Sequence, residues 1–138
     1  MSDWNTNVID EFRANGGRVG GPFEGAPLLL LHTIGRKSGL VRVTPLMYLP
    51  DDGRWAIFAS KAGHPSHPHW FLNLDANPRA SVEIGAETLP VKATVLREGT
   101  ERDALYARQV ALYPQFGEYE VKTIGHRIIP VIMLERAE

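Results

Sequence analysis

The chain has 138 residues, of which 43% are hydrophobic, 15 are basic and 16 are acidic, and its formal net charge at pH 7 is -1. This length and composition suit one compact domain with one hydrophobic core. The near-neutral charge creates no global field that would favour nucleic acid or an anionic membrane as a partner. Cysteine is absent, which excludes disulfides, thiolate nucleophiles and thiolate metal ligands, and agrees with a reducing cytoplasm.

The first dozen residues predict an amphipathic helix. Trp4, Val8 and Phe12 recur every four residues, and a pair of glycines follows as a stop signal. We therefore separate a helix over residues 1–17 from a main domain over residues 18–138. The apolar stripe is expected to pack on the body or on a partner; a transient contact with a membrane surface is the alternative. The start does not resemble a secretory signal, so we expect a cytoplasmic protein, with membrane association as the variant of that location.

Six segments predict strands, at residues 28–33, 41–49, 54–60, 79–84, 88–96 and 128–135. Two segments predict helices, at about residues 68–75 and 100–112, and the second helix places Leu105, Val110 and Leu112 for burial. Strands in hairpin order with few long helices favour a mainly β (α+β) barrel of about six mostly antiparallel strands with flanking helices. A doubly wound sheet would alternate strands with helices instead.

Cations surround the first predicted hairpin. In the segment TIGRKSG two glycines bracket Arg36 and Lys37, Arg42 follows on the second strand, and Lys61 ends the third strand in FASKAG. If the first three strands are neighbours, the four side chains gather at one end of the barrel. Charge-assisted hydrogen bonds of about 1.5 to 3 kcal/mol each could then hold a phosphate-bearing cofactor. The alternative is a solvated turn whose charges only aid solubility.

Three histidines precede a predicted helix in KAGHPSHPHWFLNLDANP, namely His64, His67 and His69. No HExxH pairing or nearby carboxylate accompanies them, so we do not expect a metal site. A loop that leads into a helix N-terminus would favour an anion or an electron-rich ligand edge. Trp70, at the start of that helix, is either a core residue or a wall against which a ring stacks.

Aromatic residues recur every three positions at Tyr113, Phe116 and Tyr119, so one helical turn would align them. They form either a packing stripe or a wall for a flat apolar substrate, with two phenol groups to orient it. The serines lack a defined His-Asp context and no GxSxG pattern occurs, which gives a hydrolase little support. Cofactor chemistry remains, in which the protein supplies binding, orientation and electrostatics.

These motifs carry a resemblance to a known family. The segments TIGRKSGLVRVTPLMYL, FASKAGHPSHPHWFLNLDANPRASVEI and YPQFGEYEVKTIGHRIIPVIMLE resemble the deazaflavin-dependent nitroreductase family. That family is a branch of the split β-barrel flavin and deazaflavin oxidoreductases and uses coenzyme F-420. The similarity extends over about residues 15–136. It implies a single-domain split β-barrel, similar to the FMN-binding split barrels, that binds F-420, an 8-hydroxy-5-deazaflavin; FMN is the alternative cofactor.

The resemblance also implies roles for individual residues. The cofactor contacts would come from Arg36, Lys37, Arg42, Thr44, Pro45, Leu46, Ala59, Ser60, Lys61, Trp70 and Asn73. The substrate contacts would come from Tyr113, Phe116 and Tyr119, with Phe116 standing where well-known relatives carry tyrosine. Ser60, Tyr113 and Tyr119 are the candidate catalytic groups, because a hydroxyl can stabilise negative charge as a hydride arrives.

The implied reaction is hydride transfer from reduced F-420 to a quinone, a nitroaromatic compound or another conjugated planar acceptor, with the rate gain coming from proximity. The hydroxyl that Phe116 lacks leaves the reduction of nitroimidazoles open. Two other functions stay open as well: a deazaflavin carrier or storage protein without efficient turnover, and an FMN-dependent oxidoreductase on the same barrel. Since barrel relatives often dimerise, a homodimer is a further expectation.

Overall fold

The computed structural model describes residues 3–20 and 25–137, and side chains from residue 6 onward within those ranges. The predicted role of the Trp4 side chain therefore lies outside the described residues. Seven strands form one antiparallel sheet: β1 Leu28–Ile34, β2 Val41–Met47, β3 Leu49–Asp51, β4 Arg54–Phe58, β5 Arg79–Ile84, β6 Glu87–Leu96 and β7 Val131–Arg136. The described residues also form four α-helices: α1 Asp3–Ala14, α2 His69–Ala76, α3 Thr100–Leu112 and α4 Gln115–Thr123. None of the described helices is long and apolar enough to cross a membrane.

The sheet has seven strands where the sequence predicted about six, because the predicted strand 41–49 divides at Tyr48. Before this residue β2 pairs with β1, and after it β3 pairs with β4. The Tyr48 amide donates instead to the carbonyl of Pro27, at 3.2 Å. The last strand also starts at Val131 rather than at residue 128, since Pro130 has no amide hydrogen to donate to a neighbouring strand.

The strands lie in the order β2-β1-β5-β6-β7-β4-β3. The grouping of the four cations assumed that the first three predicted strands are neighbours in the sheet. This assumption is wrong, since β5, β6 and β7 separate β1 from β4. The sheet curls, however, and residues of β2 come into contact with residues of β4. This curling brings the ends of β2 and β4 to the same region, and the predicted mainly β barrel-like architecture is confirmed.

Helix α1 covers one face of the sheet. Its apolar residues Val8 and Phe12 are 4% and 1% exposed and pack with Leu28 and Leu30 of β1. This confirms the prediction that the stripe packs on the body. Burying one such apolar side chain completely contributes roughly 1.5 to 3 kcal/mol to the free energy of unfolding.

Helix α3 matches its predicted bounds, but not all of its predicted burial. Leu105 is buried and Val110 is half-buried against the same core, whereas Leu112 is 62% exposed. The prediction that Leu112 is buried is wrong, because the buried face of the helix ends at Gln109 and Leu112 belongs to the last turn beyond it.

Candidate active site

Two adjoining cavities lie along β2. The larger, of about 760 Å³, is bounded by α1, the β1–β2 loop, β2 and α2. The smaller, of about 560 Å³, is bounded by β2, the end of β4, the start of α2 and the connection between α3 and α4. Trp70 lines both cavities, and on β2 Thr44 lines the larger one while its neighbour Pro45 lines the smaller one. We call the larger the cationic cavity and the smaller the aromatic cavity.

Three cations give the cationic cavity its charge. Arg36, Lys37 and Arg42 all line it, and none of them makes an ion pair with a carboxylate in the described part of the chain. Arg13 of α1 also lines the cavity, but its guanidinium binds both carboxylate oxygens of Glu83, at 3.1 and 2.7 Å. Cations that are not neutralised by a carboxylate attract an anionic ligand, so this cavity suits a phosphate or carboxylate group.

The glycines of TIGRKSG shape the loop that carries these cations. The Gly35 amide donates to the carbonyl of Leu40 and the Gly39 amide donates to the carbonyl of Gly35, both at 2.8 Å. A Cβ on Gly35 would lie 2.5 Å from Ser38 Oγ, and Gly39 has a φ of +71°. Gly39 therefore adopts the left-handed conformation that favours glycine, and a side chain at residue 35 would have to displace the Ser38 hydroxyl.

Asn73 of α2 anchors the same loop. Its side-chain oxygen Oδ1 accepts hydrogen bonds from the backbone amide of Arg36 at 3.2 Å and from Arg36 Nη1 at 3.0 Å. Its amide nitrogen Nδ2 donates to Thr33 Oγ1 at 3.3 Å. Asn73 is 5% exposed. It therefore affects the cationic cavity mainly by fixing the position of Arg36.

Hydroxyl groups and rings line the aromatic cavity. Ser60, Tyr113 and Tyr119 all border it, and among the described residues none of their three hydroxyls has a hydrogen-bond partner. Phe116 forms a wall of the cavity, 7% exposed, with its ring 5.2 Å from that of Tyr119 in an edge-to-face arrangement. The cavity therefore offers a flat apolar space with hydroxyl groups left to bind a ligand.

The backbone at the edge of the aromatic cavity is strained. Lys61 and Ala62 have φ values of +46° and +52°, and Gly63 follows with +81°. Each of the two non-glycine residues costs of order 1 to 3 kcal/mol in this conformation, which persists only where the surroundings enforce it. A Cβ on Gly63 would lie 2.9 Å from the Cβ of Lys122, so α4 packs directly against the turn.

The structure brings most of the predicted site residues to these two cavities. Arg36, Lys37, Arg42, Thr44, Trp70 and Asn73 line the cationic cavity, and Pro45, Leu46, Ser60, Lys61, Trp70, Tyr113, Phe116 and Tyr119 line the aromatic one. Lys61 thus lies in the neighbouring cavity rather than with the other cations. Ala59 lines neither cavity, because it is fully buried in the core.

The three histidines have separate environments. His69 lines the cationic cavity, and His64 Nδ1 lies 2.8 Å from the hydroxyl of Ser66. His67 packs on the ring of Phe71, and its pKa is lowered first by burial and then by the positive charge of Arg127. Within the residues that the structure describes, no group of three histidines or carboxylates could hold a metal ion.

Sequence reasoning missed Arg127, which follows α4. Its guanidinium donates to the carbonyl oxygens of Ala59 at 2.8 Å and of Ser60 at 2.9 Å. Arg127 does not line the aromatic cavity, so it contacts the backbone of Ser60 without reaching the space that a ligand would fill. A single arginine in a loop has no periodic pattern, and only the fold reveals what it contacts.

Comparisons with known proteins identify the family of the chain. The family model described as F420H(2)-dependent quinone reductase matches residues 4–136. An F420H(2)-dependent quinone reductase of Mycobacterium tuberculosis is 36% identical over 131 residues, which cover 91% of this chain and 85% of the relative. A solved F420-H2 dependent reductase is 44% identical with a TM-score of 0.70, covering 79% of this chain and 94% of that one. Another solved structure, a domain-swapped dimer, is 40% identical with a TM-score of 0.72, covering 94% and 93%. The chain belongs to the F420H(2)-dependent quinone reductase family.

Proposed function

We propose that the protein is an oxidoreductase that uses reduced coenzyme F-420 to reduce a quinone. The observation that carries this proposal is the pair of adjoining cavities: within the described residues, one has three cations without a carboxylate partner and the other has rings and hydroxyls without a hydrogen-bond partner. Such a pair fits an elongated ligand with an anionic tail and a flat ring. Membership of the F420H(2)-dependent quinone reductase family supports the identity of that ligand.

The cationic cavity would hold the tail of the cofactor. Arg36, Lys37 and Arg42 line it without an ion pair to a carboxylate in the described residues, although Asp10 lines the same cavity. Three charge-assisted bonds of about 1.5 to 3 kcal/mol each are of the size needed for micromolar affinity, about 8 kcal/mol. Pro45 and Trp70, where the two cavities meet, would flank the ring.

The aromatic cavity would hold the acceptor beside the ring. Reduced F-420, when bound, supplies the hydride that the quinone accepts. Tyr113, Phe116 and Tyr119 would orient the planar acceptor and keep water from its faces. The Ser60 hydroxyl would donate a hydrogen bond to the quinone oxygen that gains negative charge, which favours the transition state over the ground state.

A titration followed by turnover tests the proposed function. The protein is titrated anaerobically with F-420 and with FMN, and the reduced F-420 complex is then mixed with menadione. We expect F-420 to bind more tightly than FMN and its oxidation to be accelerated. Binding without acceleration by any quinone would indicate a carrier, and a preference for FMN would refute the proposed cofactor.

A pair of charge substitutions tests the cationic cavity. Arg36→Ala combined with Lys37→Ala should weaken F-420 binding at least tenfold, which corresponds to about 1.4 kcal/mol. The control combines Arg79→Ala with Lys92→Ala, which removes two exposed charges from paired positions of β5 and β6. Equal affinities of the two variants would show that the loop charges do not bind the tail.

We further infer a homodimer, on the ground that one solved relative is a domain-swapped dimer; light scattering at several protein concentrations would test it.

Membrane contact through α1 has less support. Val8 and Phe12 are buried against β1, so the helix would have to leave the body to expose them. We expect the folded protein not to sediment with liposomes, and binding that depends on α1 would reverse this expectation.

A further inference from the structure

Arg127 makes an unusual number of contacts with one short segment. Besides the carbonyls of Ala59 and Ser60, its guanidinium donates to the carbonyl of His64 from Nε at 3.1 Å and from Nη2 at 2.9 Å. Its Nη1 also lies 3.3 Å from Nδ1 of His67. In the described residues it forms no ion pair with a carboxylate, so its partners are three backbone carbonyls and one imidazole nitrogen.

The contacted carbonyls bracket the strained turn. Ala59 and Ser60 precede it and His64 follows it, while Lys61 and Ala62 between them adopt left-handed conformations. The turn has two backbone bonds of its own, from the Gly63 amide to the Ser60 carbonyl and from the His64 amide to the Lys61 carbonyl. Arg127 thus connects the residues before the turn with the residue after it.

We propose that Arg127 is a positioning residue that fixes the turn so that the Ser60 hydroxyl and the Lys61 side chain face the aromatic cavity. The inference rests on the proposed function, because it assigns a purpose to the position of Ser60 in that reaction. A conformation that is costly in isolation persists only when its surroundings enforce it. The guanidinium enforces the conformation of the turn by binding three carbonyls, which a relaxed turn would place elsewhere.

The geometry requires arginine rather than a general positive charge. A guanidinium presents its donors in a rigid planar fork, and here Nε, Nη1 and Nη2 each donate to a carbonyl. A lysine ammonium is a compact point charge on a flexible side chain, so it cannot bind the three separate carbonyls in the same way. Arg127→Lys therefore retains the charge and removes the fork, and Arg127→Met removes both.

Hydrogen exchange of the ligand-free protein tests the contact itself. In Arg127→Met we expect the amides of Gly63 and His64 to exchange about tenfold faster or more, because the turn opens locally. The Ala93 amide, which donates to the carbonyl of Pro78, should be unchanged and reports any general loosening. Unchanged exchange in the turn, or faster exchange everywhere, would overturn the proposal.

Kinetics test the consequence for the reaction. We expect Arg127→Met to lower kcat for menadione roughly 10- to 100-fold, since a small misplacement of an orienting group has effects of that size. The Kd of F-420 should change less than about threefold, and Arg136→Met on the exposed end of β7 should match the wild type. We expect Arg127→Lys to behave like Arg127→Met, and it also serves if the latter does not fold. A normal kcat with an opened turn, or full activity with lysine, would overturn the proposal.

The outcomes separate this inference from the proposed function. If the wild-type protein does not reduce any quinone with F-420, the proposed function fails. The exchange measurement still decides whether Arg127 holds the turn. If the wild type is active and Arg127→Met keeps its full kcat, the positioning role alone fails.

Discussion

The contact between Asn73 and Arg36 yields a prediction that can be worked out quantitatively. Asn73→Ala removes three hydrogen bonds, two from Arg36 and one to the buried Thr33 hydroxyl. At about 1 kcal/mol net for each bond, the free energy of unfolding should fall by about 2 to 3 kcal/mol. Arg36→Ala keeps the backbone amide of Arg36 and removes only the guanidinium bond, at 3.0 Å.

A double-mutant cycle isolates that one bond. A hydrogen bond to a charged group contributes about 1.5 to 3 kcal/mol, but Arg36 is exposed and solvent screens the interaction. We therefore expect a coupling free energy of about 1 kcal/mol between Asn73→Ala and Arg36→Ala in urea unfolding. Both single variants should also bind F-420 about tenfold more weakly, since the loop loses either its anchor or its charge.

The control is Asn77→Ala, just after the same helix. Among the described residues the Asn77 side chain accepts a hydrogen bond only from the backbone amide of Arg79, so F-420 affinity should stay at the wild-type value. Additive effects of Asn73→Ala and Arg36→Ala on unfolding, within about 0.3 to 0.5 kcal/mol, would refute the coupling. Normal F-420 affinity of Asn73→Ala would show that the loop does not need this anchor to bind the tail.

Three further predictions concern the turn and its neighbours. Ser60→Ala should lower kcat about tenfold or more with little change in F-420 affinity, whereas Ser81→Ala on β5 should match the wild type; equal losses of both quantities would contradict the proposed role. Gly63→Ala should lower the free energy of unfolding by about 1 to 3 kcal/mol more than Gly53→Ala. Both glycines have a φ of +81°, but only the Cβ at residue 63 would meet another side chain, and similar urea midpoints would contradict this. His67 should titrate below 6.5 by NMR, because burial and a neighbouring guanidinium lower its pKa; its contribution to stability is then full above about pH 6.5 and is lost as the pH falls through the lowered pKa. A pKa of 6.5 or above would show that its ring is solvated.

Local sequence patterns were sufficient for several of the individual elements. The hairpin of residues 79–96, the helix ending at Leu112 and the stop at the glycines after α1 depend on alternation, caps and turn residues that lie close together in the chain. The turn of TIGRKSG is likewise a local feature, because its backbone hydrogen bonds join Gly35 to Gly39 and Leu40. These features could be predicted because the interactions that form them join near neighbours in sequence.

Motif combinations selected residues that the fold gathers at the two cavities, whereas spacing did not. The segments around Arg36, Ser60 and Tyr119 resemble one family, and the structure places all three at two adjoining cavities. Spacing alone would have put Lys61 with the other cations through neighbouring strands, which is not how the sheet is ordered. The motifs indicated which residues lie together because the family that they resemble has a known fold.

Only the tertiary structure decided the remaining features. The division of one strand at Tyr48 follows from which partner strand lies alongside, and the exposure of Leu112 follows from where the core ends. The contacts of Arg127 join residues more than 60 positions apart in the chain. No local pattern predicts such pairings, because they depend on how the sheet curls and on which loops meet when it does.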